Sequence, residues 1–110
     1  MRDAQAAANR KYAAVAISAS RAGWALNRSS ATEAVDVARA QCGGSACNKF
    51  ATFTSGCMGI YKYSYRSGRK RYWGYGYTSG ENNDEATTKS MNSCRENNGG
   101  CAHVRTICQS

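Results

Sequence analysis

Six cysteines, one histidine and a run of tyrosines mixed with cations are the side chains of this 110-residue chain best suited to chemistry. Cysteine could supply a thiolate nucleophile, a metal ligand or a cross-link. No Cys-x-x-Cys occurs, and His103 has no partner at zinc-like spacing. An even cysteine count in a small chain fits a disulfide framework instead, which persists in oxidising compartments. That reading uses every sulfur, leaves no nucleophilic thiolate and expects neither metal nor cofactor. His103 alone could act as a general base, but a single histidine without a placed partner is read as structural or exposed. Gly74-Tyr75-Gly76 lacks the third glycine and the helix start of a dinucleotide fingerprint. Glu33, Asp36, Asp84 and Glu85 fall at predicted helix starts, where the helix dipole favours acids. No catalytic residue is assigned.

The remaining chemistry is adhesive. The stretch "YKYSYRSGRKRYWGYGYTSG" (residues 61–80) holds six of the seven tyrosines, one of the two tryptophans, five of the fifteen basic residues and no acid. The net charge is +8 and the predicted pI about 9.4. Residues 1–60 carry seven basic residues against three acidic, and residues 81–110 three against four, so the middle is the positive region. Such a field attracts acidic surfaces. Strand alternation puts Tyr61, Tyr63 and Tyr65 on one face, with Lys62, Ser64 and Arg66 on the other. Trp73, Tyr75 and Tyr77 share a face on the return strand, opposite Gly74 and Gly76. "RSGRK" (66–70) is read as the turn, and if the two rows align, one face carries six rings and the other is small and basic. Either the rings pack under helices, or they form a surface of the Tyr, Trp and Arg composition common at binding hot spots. The expected contact residues are Tyr61, Tyr63, Tyr65, Arg66, Arg69, Lys70, Arg71, Trp73, Tyr75 and Tyr77.

An internal echo describes the elements that must position this run. "SSATEAVDVARAQC" (29–42) and "ENNDEATTKSMNSC" (81–94) align without a gap at an offset of 52. Ser30 with Glu33, and Asn82 with Glu85, sit at capping-box spacing and predict two helix starts. Ala31, Ala34, Val35, Ala38 and Cys42 fall on one helical face; Ala86, Ser90, Met91 and Cys94 form the weaker counterpart. A hairpin-like pair precedes each helix: "YAAVAIS" with "GWALN", then "MGIYKYSY" with "RYWGYGYT". After each helix come a glycine-containing cysteine loop, "CGGSAC" or "CRENNGGC", and a β-like stretch, "NKFATFT" or "AHVRTIC". The predicted order is ββα-ββα-β, an α+β domain with two helices on an antiparallel sheet. Six cysteines allow fifteen pairings. The equivalent loops suggest Cys42–Cys47 and Cys94–Cys101, which leaves Cys57–Cys108 as a long closure.

The length fits one domain. It is expected at 12–110, with pseudo-repeats at about 12–54 and 58–108 and a flexible segment at 1–11. "RDAQAAANRK" has no apolar core, so it is read as the start of a mature form bearing an added methionine rather than an intact signal peptide. No run approaches membrane-spanning length.

Residues 33–60, "EAVDVARAQCGGSACNKFATFTSGCMGI", with "YAAVAIS", "GW" and Cys108, resemble a small exported bacterial family catalogued as domain of unknown function 4189. The resemblance runs from Tyr12 to Cys108 and implies a periplasmic or secreted domain. It carries over no catalytic residue. Cys94, Cys101 and the tyrosine hairpin lie outside the pattern associated with that family. The leading expectation is a non-enzymatic binding protein that engages a protein partner, one of acidic character, through the basic hairpin. An inhibitor or immunity protein and a secreted effector are its two concrete forms. The alternative is a nonspecific binder of anions (nucleic acid, an envelope polymer or a membrane surface), and a small phosphodiesterase-type enzyme comes last.

Overall fold

The computed structural model describes residues 11–95 and 100–109. The expectation of a flexible start falls, apart from Lys11, outside these residues, as does the middle of the second cysteine loop. Eight elements follow in order: β1 (Tyr12–Ile17), β2 (Ala22–Arg28), α1 (Ala31–Cys42), β3 (Lys49–Phe53), β4 (Gly56–Ser67), β5 (Lys70–Gly80), α2 (Asn83–Arg95) and β6 (Cys101–Gln109). The fold is α+β and antiparallel throughout. It differs from the predicted order in one respect. The stretch after α1 is a full strand that pairs with β1, so the unit is ββαβ used twice.

Instead of one sheet there are two, ordered β2-β1-β3 and β5-β4-β6. Each repeat closes its own three strands, because its third strand returns beside its first. The two sheets stack through Val15, Met58, Ile60 and Ile107, with Trp24, Leu26, Phe53, Tyr75 and Tyr77 packed around them. Burying side chains of this size contributes roughly 1.5–3 kcal/mol each. On the outer side of the first sheet, Ala14, Ala16 and Ala25 meet Ala34, Ala38 and Cys42 of α1. The layers are therefore helix, sheet, sheet, helix. This explains why β1 is buried on both faces from Ala13 to Ile17, whereas alternation alone assigns only Ala13, Val15 and Ile17 to a core.

Both helices start where the capping spacing predicts. The Glu33 amide donates to Ser30 Oγ at 3.1 Å, and the Glu85 amide to Asn82 Oδ1 at 2.8 Å. The reciprocal arms differ from a closed capping box. Glu33 accepts from the Ser29 amide and hydroxyl, while Glu85 turns to Lys89 at 2.8 Å. Gly43, at φ 123°, ends α1 by returning its amide to the Arg39 carbonyl, as a left-handed glycine cap does. The helices lie very close to their sheets. A Cβ on Gly23 would sit 2.2 Å from the Ala38 carbonyl oxygen, and one on Gly59 would sit 2.7 Å from that of Ala86. Glycine is what lets the backbones meet.

Three disulfides fasten the frame: Cys42–Cys47, Cys94–Cys101 and Cys57–Cys108, the pairing that the repeat suggests. The first two close equivalent helix-end loops. The third joins directly opposed residues of β4 and β6. Between the halves, Asn27 and Gln109 exchange two hydrogen bonds: the Asn27 amide to Gln109 Oε1 at 2.8 Å, and Gln109 Nε2 to Asn27 Oδ1 at 2.9 Å. Asn27 adopts φ 58°, a left-handed conformation that asparagine tolerates better than most residues.

Candidate functional site

The run at 61–80 is a continuous hairpin. β4 pairs with β5 from Cys57↔Gly80 to Ser67↔Lys70 without a break, and Gly68 and Arg69 alone form the turn. Gly68 takes φ 67°, the positive value that two-residue hairpin turns require of a glycine. The turn is thus two residues long rather than five, and this parity overturns the expected alignment of rings. Tyr61 faces Gly76, Tyr63 faces Gly74 and Tyr65 faces Tyr72, while Trp73 lies opposite Ser64 and Tyr75 opposite Lys62. Directly opposed residues in an antiparallel pair share a face. One face carries Tyr61, Tyr63, Tyr65 and Tyr72; the other carries Trp73, Tyr75 and Tyr77. There is no face with six rings and no small basic face.

Each face has its own logic. On the first, the tyrosine rings stand in file, with centroids 6.1 Å apart for Tyr61–Tyr63, 6.0 Å for Tyr63–Tyr65 and 5.5 Å for the stacked Tyr65–Tyr72 pair. The glycines make room for them. A Cβ at Gly76 would fall 2.3 Å from the far end of the Tyr61 ring, and one at Gly74 would fall 2.6 Å from that of Tyr63. The rings cover the glycine backbone of the next strand, a recognised way of supporting glycine in a sheet. On the second face, Lys62 places its ammonium 4.7 Å from the Trp73 ring centre and 5.9 Å from that of Tyr75. Lys49 comes from β3 to lie 5.9 Å from Tyr77. Cation–π attraction of this kind contributes about 0.5–1 kcal/mol at exposed sites.

Burial divides the hairpin along its length. At the base Ile60 is sealed in the core, and Tyr75 and Tyr77 are half-buried between the sheets. Tyr61 and Tyr63 are also half-buried. At the tip Tyr65, Tyr72 and Trp73 are 42%, 43% and 46% exposed. Arg66, Arg69, Lys70 and Arg71 are all exposed there. Among the described residues the ion pairs are Arg28–Glu33 and Lys89–Glu85, so none of the tip cations is neutralised. The predicted contact residues thus separate into a supporting base (Tyr61, Tyr63, Tyr75, Tyr77) and a presenting tip. Reading the sequence missed Tyr72, Lys62 and Lys49. The first two follow from the turn length; the third required the tertiary packing.

A cleft of about 300 Å³ runs beside the hairpin. Trp73, Gly74 and Tyr75 of β5 form one bank, and Ile17, Asn48 and Lys49 at the end of the first sheet form the other. Elsewhere, all six cysteines are tied in disulfides. His103 Nε2 lies 2.7 Å from Thr106 Oγ1, itself 2.7 Å from Thr87 Oγ1. That chain links β6 to α2, and no acidic side chain belongs to it.

No helix among the described residues is long and apolar enough to cross a membrane. No curated protein and no solved structure matches the chain. Residues 12–108 do match a family model, and the match spans both repeats, all three disulfides and the whole hairpin. The chain therefore belongs to the family described as Domain of unknown function (DUF4189).

Proposed function

We propose that this is an exported, non-enzymatic binding protein that holds an acidic protein partner on the tip of the β4–β5 hairpin. One observation carries the reading: three exposed rings and four cations that form no ion pair among the described residues share a tip that takes no part in the core. The Lys62 contact accounts for only a small part of what an exposed Trp73 could contribute, whereas large rings beside arginine are the usual centre of a protein interface. Three disulfides support an oxidising location, periplasmic or extracellular. An inhibitor or immunity protein and a secreted effector are both compatible with such a scaffold. His103 is read as part of the link between β6 and α2, so His103→Ala should alter stability without removing any catalytic activity.

The test is capture from the periplasm or culture medium of the native host, run in parallel with the chain and an Arg66→Glu/Arg69→Glu/Arg71→Glu variant. The reading expects an acidic protein held by the first and lost by the second. A partner retained equally by both would contradict it. Capture of nucleic acid or an anionic polymer in place of protein, with affinity falling steeply with salt, would favour the anion-binding alternative.

A further inference from the structure

We propose that the outer edge of β5 is a peptide-pairing site, which takes an extended acidic segment of a partner protein as a fourth strand of the second sheet. The inference rests on the binding reading above and specifies how the partner is held.

β5 is the outermost strand in the order β5-β4-β6, eleven residues long and paired without a bulge over its whole length. Alternate backbone N–H and C=O groups of such a strand point away from β4, its one neighbour among the described strands, and proteins ordinarily blunt edges of this kind. The usual devices are few here. The chain contains no proline, the strand is long, and no described strand or helix pairs with its outer side. Its charges, Lys70 and Arg71, are gathered at the tip. Gly74 and Gly76 remove side chains from one face of the strand. The rings that cover them, Tyr63 and Tyr61, reach across from β4, so their distal ends lie close to the edge.

The cleft beside Trp73, Gly74 and Tyr75 follows this edge, with Asn48 and Lys49 across it. An added strand would therefore have backbone partners on one side and polar side chains on the other. Charge decides what kind of strand. From Tyr61 to Gly80 there are five cations and no acid, and Lys49 brings a sixth positive group. A second copy would bring another chain of net charge +8, whereas an acidic segment would meet complementary charge from Lys49 in the cleft and from Lys70 and Arg71 towards the tip. Strand addition to an exposed edge draws affinity from main-chain hydrogen bonds and specificity from alternate side chains.

The experiment measures binding of a ten-residue peptide of alternating glutamate and valine, and of the same peptide methylated on every second backbone nitrogen. Methylation removes donors while leaving charge and composition intact. Peptides methylated in each of the two phases are compared, because only one phase faces β5. Loss of several main-chain bonds predicts a fall of at least about tenfold for one phase and little change for the other. Amide exchange in β5 should slow on binding of the unmodified peptide. Equal binding by all three peptides, or failure of the unmodified peptide to bind, would overturn strand addition and leave the tip-binding reading intact. Concentration-dependent dimerisation through β5 in the absence of peptide would also overturn it, by making a second copy the occupant. Loss of the binding reading is recognised separately, by capture that ignores the charge-reversed tip.

Discussion

In the first repeat the hairpin strands are six and seven residues long, and α1 lies against them through Ala34, Ala38 and Cys42; in the second they are twelve and eleven, and α2 meets only their base. The helix contacts correspond at the offset of 52: Ala34, Ala38 and Cys42 in α1, then Ala86, Ser90 and Cys94 in α2, are the buried residues of each. The outer face of the first sheet is alanine and glycine, so a helix can cover it. On the second, Tyr61, Tyr63, Tyr65 and Tyr72 occupy the face beyond Gly59, and the helix stops short of the tip. Lengthening one hairpin and replacing alanines by tyrosines converts a repeated packing unit into a frame with an arm.

The largest effect that would sharpen this comparison lies in the cross-links. Under the chain-entropy account, removing Cys57–Cys108, at a separation of 51 residues, costs about 4 kcal/mol. Either local bridge, at separations of 5 and 7, costs about 2 kcal/mol. Denaturant unfolding of the three paired Cys→Ser variants measures the ranking. If the local bridges matter more, the arm is not anchored by its link to β6.

The next effect separates rigid from yielding glycines. Gly23→Ala drives a Cβ into the backbone of α1, and overpacking of this kind costs roughly 1–3 kcal/mol or more. Gly76→Ala meets only the end of the Tyr61 side chain, which can swing, so its cost should be nearer about 1 kcal/mol. Thermal melts of the two variants compare frame with arm directly. Equal losses would mean that the ring file is as immovable as a helix.

Ser90 provides a smaller and opposite test. Its buried hydroxyl has no hydrogen-bond partner among the described residues, whereas its counterpart in α1 is Ala38. Ser90→Ala should raise stability by about 1 kcal/mol, because an unsatisfied buried group is removed. A loss of stability on making the two helices alike would break the equivalence of the packing units.

Much of this arrangement was legible in the sequence because its signals are local. Ser30 and Asn82 each set a helix start within one turn, and the cysteine at each helix end pairs across a short glycine loop. Two features were not. The facing of the rings depends on whether the turn holds an even or an odd number of residues, and "RSGRK" allows either; Gly68 at positive φ settles it at two. The division into two sheets depends on β3 and β6 returning beside β1 and β4, and alternation within a single strand carries no information about its neighbours. Lys49 in the cleft is a consequence of that same packing.

The smallest expected effect is on the helix starts. The Glu33 carboxyl is held below its ordinary range by the Ser29 hydroxyl, then by the Ser29 amide, with Arg28 and Lys11 adding charge. Glu85 is lowered by its hydrogen bond and charge pairing with Lys89, whose own value is raised by the same contact. A lowered carboxyl contributes stability that is present above its unfolded value and lost as the pH falls through the folded one. Acidification below the glutamate range should thus loosen both helix starts, and Glu33→Gln should remove that dependence from α1 alone. Amide exchange at residues 31–34 against 83–86 reads the difference. The Lys89 contribution runs the other way, complete below the unfolded lysine value and lost as the pH rises through the folded one.

The most direct test of the arm as a presenting surface is the affinity of the captured partner for Trp73→Ala, measured alongside the melting temperature of that variant. The account predicts a loss of about thirtyfold in affinity, the scale of an interface hot spot near 2 kcal/mol, with the melting temperature lowered only by the few degrees that losing the Lys62 contact costs. Unchanged affinity with a large drop in melting temperature would contradict it, since Trp73 would then belong to the frame.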